Sequence, residues 1–221
     1  MNSFLTVEQL SLIGLKYYGS NVLISKHCVI YNPQNISIGH DVRIDDFVII
    51  SGGSGITIGN YVHIATHSGL WGGGVITIGD FVNISSGCKI YSESDDFSGE
   101  TLVGPMIPKM YKTNMNIKPV YINKHVVIGA NSVVLPGVTL DVGCAIGCGS
   151  VVNKSCDAWT IHAGTPIRYL KDRLTTLLED EQTFKGDVQN RNFSFALQPI
   201  EYQPSNHVNW TKAWTIDGYR I

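Results

Sequence analysis

Four side chains near the middle of the chain could move a proton: the neighbours Asp95 and Asp96, and His63 and His67, four positions apart. An imidazole is a base matched to neutral pH, whereas a carboxylate is a weaker base that also holds a cation. Further along, Lys154, Arg168, Lys171 and Arg173 flank Pro166 and could grip a phosphate or pyrophosphate. Each group has a plainer use as well. Adjacent aspartates often bond their own backbone in turns, an outward histidine is commonly a surface residue, and a basic cluster is commonly a solvated helix start. No metal site is expected. His63 and His67 lie on a strand-and-corner path rather than one helical face, and the cysteines lack paired-cluster spacing.

A ladder of large aliphatic residues must position these groups: Ile38, Ile44, Ile50, Ile58, Ile64, Leu70, Ile78, Ile84 and Ile90. They recur every six positions, with a step lengthened by two after each third rung, and a small or β-branched residue follows four places after most of them. Val42, Val48, Ser54, Val62, Ser68, Gly74, Val82, Cys88 and Ser94 are these companions. A fixed period marks units that bury an apolar face only by stacking. Three hexads per turn, each with one short strand, make a triangular prism of three parallel sheets with coils about 4.8 Å apart. Gly52-Gly53-Ser54-Gly55 and Gly72-Gly73-Gly74 fall at equivalent corners. Period alone leaves the hand open, and right-handed crossovers are the generic expectation.

The ladder begins with Ile24 and Ile30, lapses over residues 92–119, and resumes as Ile122, Ile128, Val134, Leu140, Ile146 and Val152. A long unpatterned insert within a regular domain is a place for function. Thr6 can cap a short helix over residues 3–18 that presents Leu10, Ile13 and Tyr17 on one face and ends at Gly19. Ile167, Leu170, Leu174, Leu177 and Leu178 have helical spacing. The expected organisation is a helical cap over 1–20, an all-β β-helix over 21–166 and a C-terminal helix with an irregular tail over 167–221. In that tail Trp210 and Trp214 could pack on the domain or on a neighbour.

The 221 residues carry 16 Lys+Arg against 18 Asp+Glu, so no global field argues for nucleic acid or an anionic membrane. No apolar run approaches the ~20 residues of a membrane span, and the N-terminus lacks signal-peptide features. Five cysteines, an odd number, four of them at or beside ladder positions, read as buried thiols in a reducing, cytoplasmic location.

The runs Ile128-Gly129-Ala130-Asn131-Ser132-Val133-Val134-Leu135-Pro136-Gly137-Val138 and Ile146-Gly147-Cys148-Gly149-Ser150-Val151-Val152-Asn153-Lys154, with Ala163-Gly164-Thr165-Pro166-Ile167-Arg168, resemble the hexapeptide-repeat acyltransferases. The resemblance covers about residues 20–173. It implies a left-handed parallel β-helix, a homotrimer, and acetyl-CoA bound as co-substrate between neighbouring prisms. The N-terminal helix, Arg43-Ile44-Asp45-Asp46-Phe47 and the segment Ile90 to Gly99 resemble the surface-polysaccharide branch, in particular the dTDP-4-amino-4,6-dideoxyglucose acetyltransferases of O-antigen synthesis. By this resemblance, Gly129, Ala130 and Gly147 would border the pantetheine arm. Lys154, Pro166, Arg168 and Arg173 would lie near the nucleotide end of the cofactor.

Family members that acetylate a hydroxyl keep a histidine where this chain has Asp95. A hydroxyl needs a base matched to the operating pH, whereas an amine sheds its proton only after the tetrahedral adduct has formed. Asp95 and Asp96 therefore favour an amine acceptor over a hydroxyl, and the resemblance implies that the acceptor is a nucleotide-linked sugar. The rival readings are an O-acetyltransferase with His67 or His63 as base, and a non-catalytic or γ-carbonic-anhydrase-like trimer.

Overall fold

The computed structural model describes residues 3–189 and the backbone of a short strand pair, Thr215–Ile216 with Tyr219–Arg220. Trp210 and Trp214 lie outside the described residues. The chain forms two compact units, Met1–Arg173 and Leu174–Ile221.

The first unit is a left-handed parallel β-helix with three sheets running its length. The first sheet contains Tyr17–Tyr18, Ile36–Ile38, Ile56–Ile58, Ile76–Ile78, Val120–Ile122 and Thr139–Leu140. The second contains Val22–Ile24, Val42–Ile44, His63–Ile64, Asn83–Ile84, Val127–Ile128, Ala145–Ile146 and Thr160–Ala163, with Arg168–Asp172 added antiparallel. The third contains Val29–Tyr31, Ile49–Ser51, Gly69–Trp71, Lys89–Tyr91, Val133–Val134 and Val151–Val152. Equivalent residues stack in register: Ile36 on Ile56 on Ile76 in steps of twenty, then Tyr121 on Thr139 in a step of eighteen.

Every rung from Ile38 to Val152 is buried, and most companions join it in one continuous core. Ser54 departs from the expectation, being exposed. The two extra residues per coil make the inward positions there Gly52 and Ile56. A Cβ on Gly52 would lie 2.5 Å from the Asn32 carbonyl oxygen, so only glycine lets the coils close at this corner.

Both helices differ from expectation. α1 spans only Val7–Leu12, closed at its start by a reciprocal Thr6–Gln9 capping box. It ends at Gly14 (φ +82°) rather than Gly19, and Tyr17–Tyr18 instead pair with Ser37 and Ile38. Aromatic residues suit an edge strand better than the end of a marginal helix. The Leu5 N–H donates to the Ile24 carbonyl at 2.8 Å, tying the cap to the first coil. Residues 168–172, expected as helix, form the strand that turns back on Thr160–Ala163. The Gly164-Thr165-Pro166 turn returns the chain along the sheet edge, where a strand satisfies backbone groups that a helix would leave unpaired. α2, Leu177–Gln189, starts ten residues later than expected.

Residues 92–119 have a frame of their own: a two-residue antiparallel stem, Glu93–Ser94 with Asn116–Ile117, and a 3₁₀ turn at Lys109–Tyr111. Among the described residues no helix is long and apolar enough to cross a membrane.

Candidate active site

The residues singled out in the sequence fall on different edges of the prism. One edge, between the second and third sheets, carries small residues. After the rungs Ile64, Ile84, Ile128 and Ile146 come Ala65-Thr66-His67, Ser85-Ser86-Gly87, Gly129-Ala130-Asn131 and Gly147-Cys148-Gly149. The third residue of each set is left-handed, with φ between +59° and +75°. The N–H of each bonds the coil below: Gly87 to Thr66 O at 3.0 Å, Asn131 to Ser86 O at 2.9 Å and Gly149 to Ala130 O at 2.8 Å. A Cβ on Gly129 would stand 2.6 Å from the Cys148 nitrogen, and one on Gly147 2.8 Å from the Ala163 methyl. Close stacking thus dictates both glycines, and the same smallness leaves a shallow open track along the edge.

His67 lies at the lower end of this track, exposed, with Nδ1 2.8 Å from Thr66 Oγ1 and its ring 5.1 Å from that of Phe47. At the upper end the exposed Pro166 forms the turn, and Arg168 pairs with Ala163 as the return strand begins. The structure therefore aligns His67, Gly129, Ala130, Gly147, Pro166 and Arg168.

Asp95 and Asp96 belong to the edge between the third and first sheets, where the long loop leaves. Lys154, exposed, follows Val151–Val152 at that same edge. One Asp95 oxygen is 2.9 Å from Lys112 Nζ, and the other accepts the Gly104 N–H at 3.2 Å. The hydrogen-bonded Lys112 ammonium holds the Asp95 carboxyl below the usual carboxylate range. Asp95 is thus an ionised, half-exposed carboxylate.

Asp96 has a different use. It accepts from Ser98 Oγ and N at 2.6 and 2.8 Å and from Thr101 N and Oγ1 at 2.8 and 3.3 Å, and the Ser98 bonds lead in lowering its pKa to about 2. A carboxylate occupied by four donors staples the loop, so the expected proton-transfer role does not fit it.

Two further expectations are revised on geometry. His63 lies on the face of the second sheet, with Nε2 2.8 Å from Asp45 Oδ2 and Nδ1 3.1 Å from Asn83 Oδ1, so neither nitrogen is open to a substrate proton. Arg173 is directed inward at the remaining edge, between the first and second sheets. Its Nη1 donates to the carbonyls of His125 (2.8 Å) and Gly143 (2.9 Å), and burial lowers its pKa. It anchors the return strand beside the Phe81–His125–Trp159 aromatic stack instead of facing a phosphate. His125, in that stack, is buried.

Two features escaped the sequence reading. Ser85 occupies the track position equivalent to Gly129 and Gly147, one residue after a rung, and the ladder register alone could have marked it. Cys144, Cys156 and His162, scattered in sequence, meet inside the prism. Three of the cysteines, Cys88, Cys144 and Cys156, are buried as expected, while Cys148 is exposed.

Ser85 and Asp95 are separated by the strand Lys89–Tyr91 and its two corners. At ~3.3 Å per strand residue this is a gap on the order of 15 Å.

No family model matches the chain. The dTDP-4-amino-4,6-dideoxy-D-glucose acyltransferase of Escherichia coli is 45% identical over 191 residues, spanning 86% of this chain and 99% of that protein. The N-acyltransferase AntD of Bacillus cereus, in complex with dTDP and 3-hydroxybutyryl-CoA, is 47% identical with a TM-score of 0.82, covering 86% of this chain and all of AntD. AntD with dTDP-4-amino-4,6-dideoxyglucose and coenzyme A superposes with a TM-score of 0.81, at 47% identity, covering 85% of this chain and 99% of AntD. The AntD structures include variants of one serine and of one aspartate ten positions later.

Proposed function

This chain belongs to the dTDP-4-amino-4,6-dideoxyglucose acyltransferase family, and on that premise we propose that it transfers the acetyl group of acetyl-CoA to the 4-amino group of a dTDP-linked 4-amino-4,6-dideoxy sugar. The product would be a cytoplasmic precursor for O-antigen or another surface polysaccharide. The observation that carries the reading is Asp95, held ionised in the inserted loop where a hydroxyl-acylating relative would need a neutral-pH base. The serine and aspartate substituted in AntD support it, since Ser85 and Asp95 stand ten apart here as well.

The amine nitrogen attacks the thioester carbonyl, forming the C–N bond and a tetrahedral oxyanion. The C–S bond then breaks and coenzyme A departs as thiolate. Asp95 holds the incoming amine and takes the proton from the cationic adduct, which is acidic enough for a carboxylate to accept. At the track the Ser85 N–H donates to Ile128 O and the Gly87 N–H to Thr66 O. With those amides committed to stacking, the Ser85 hydroxyl is the natural donor to the oxyanion.

Because Ser85 and Asp95 occupy opposite borders of the third sheet, the site is assembled when the track of one copy meets the loop of the next. A heterologous contact of this kind makes a ring when its rotation closes, and a homotrimer is the ring proposed. Gly129, Ala130 and Gly147 would line the pantetheine, with Pro166 and Arg168 toward the nucleotide.

The acceptor nitrogen is tested by following free thiol from acetyl-CoA with dTDP-4-amino-4,6-dideoxyglucose and with the same nucleotide sugar bearing a 4-hydroxyl. Release with the amine and none above background with the hydroxyl is expected. Comparable turnover of the hydroxyl sugar would overturn the reading in favour of O-acylation.

A further inference from the structure

The prism interior changes character at its C-terminal end. Cys144 takes a companion position beside Ile146, Cys156 bridges to Leu140, and His162 takes the rung position above Ile146. All three are buried, at 0%, 3% and 5% exposure. One ligand atom from each lies within 4.8 Å of the other two. An aliphatic triad here would continue the ladder without cost, so two thiols and an imidazole facing one another call for another account.

The imidazole is already oriented. Thr160 Oγ1 donates to the Asp157 carbonyl, so its lone pair accepts from His162 Nε2–H at 2.9 Å. That fixes the tautomer and leaves a bare lone pair on Nδ1, which is buried without a hydrogen-bond partner. A second hydrogen bond that aims the free nitrogen is how metal-bound histidines are commonly held. Burying that nitrogen unsatisfied is unfavourable, and a ligated cation removes the penalty.

We propose that Cys144, Cys156 and His162 form a binding site for a thiophilic divalent cation, zinc in the cell. Soft thiolate and imidazole donors suit this ion, and two thiolates with one divalent charge make a neutral cluster, the state an apolar interior tolerates best. Binding forms two metal–sulfur bonds and one metal–nitrogen bond and releases the two thiol protons, with no change of oxidation state. The ion would pin Cys156, which opens the last coil, and His162, in its closing strand, to the coil below. Its role is structural, and it is independent of the acyl-transfer reading.

Cobalt titration of the reduced full-length protein tests this, read with thermal melts in zinc and in chelator. The expected result is thiolate-to-cobalt charge-transfer absorption saturating at one ion per chain, displaced by zinc, and a Tm that rises with zinc concentration. Cys144→Ser and Cys156→Ser should each weaken the absorption, and Cys148→Ser should leave it unchanged. Should the buried variants not fold, X-ray absorption on the zinc-loaded natural protein should show two sulfur neighbours. Absence of the charge-transfer band, its persistence in both buried-cysteine variants, zero or one sulfur neighbour, or a Tm indifferent to zinc would each overturn the site.

Discussion

Asp95→Asn should lower kcat for amide formation by roughly 10²–10⁴-fold, the range expected when a positioned proton acceptor is removed. His67→Asn should change it by no more than a few fold. Asparagine preserves the shape and can still accept the Gly104 N–H, so loop order should survive and the loss should appear chiefly in kcat. His67 stands on the track, but its Nδ1 is engaged by Thr66, and the loop already supplies the charge complementary to an amine. The pH profile separates the two candidates further. Because Lys112 depresses the Asp95 pKa, Asp95 stays ionised throughout the neutral range and protonates only below the usual carboxylate value near 4. Loss of activity between pH 8 and 6 should therefore follow protonation of the substrate amine and be retained in His67→Asn. A kcat that falls more for His67→Asn than for Asp95→Asn would reassign the base.

Ile84→Ala should destabilise the β-helix by about 2–5 kcal/mol, because a fully buried side chain is cut back within a stack that cannot collapse around the gap. In register Ile84 sits between Ile64 and Ile128, and both belong to strands fixed by hydrogen bonds above and below. For a domain of this size the melting temperature should fall on the order of 10 °C. Thr57→Ala, an outward change at an exposed position of the first sheet, should stay within about 0.5 kcal/mol. Ile84 directly precedes Ser85, so the variant should also blunt activity in the folded fraction. Chemical denaturation measures the first effect and assay well below the melting temperature the second. A loss under 1 kcal/mol would mean that the rungs are not the source of stability.

The architecture was legible because one rule, an aliphatic residue every sixth position, is enforced at each coil by the same burial, and Ile38 through Val152 obey it. Even the irregular steps were readable, since the Gly52 and Gly72 corners announce the two added residues. Legibility failed where two local patterns compete or where partners are distant in sequence. Leu170 and Leu174 have helical spacing, yet the sheet edge offered by Thr160–Ala163 draws residues 168–172 into a strand. Arg173 reads as a free cation until the fold places the carbonyls of His125 and Gly143 around it. Asp95 and Asp96 look interchangeable as neighbours, and only the loop shows one paired with Lys112 and the other consumed by Ser98 and Thr101. Ser85 was hidden because a serine after a rung looks like any small corner residue, and its meaning comes from the glycines stacked above it.

The central claim is that one catalytic site takes its track from one copy and its loop from the next. It is tested most directly by mixing two weak variants, Ser85→Ala and Asp95→Asn, each inactive where it contributes its own half. Co-assembled in equal amounts, they should regain about a quarter of natural activity, because half of the tracks and half of the loops remain intact and meet at random around the ring. Activity that stays at the level of the separate variants would contradict the account and return both residues to a single chain.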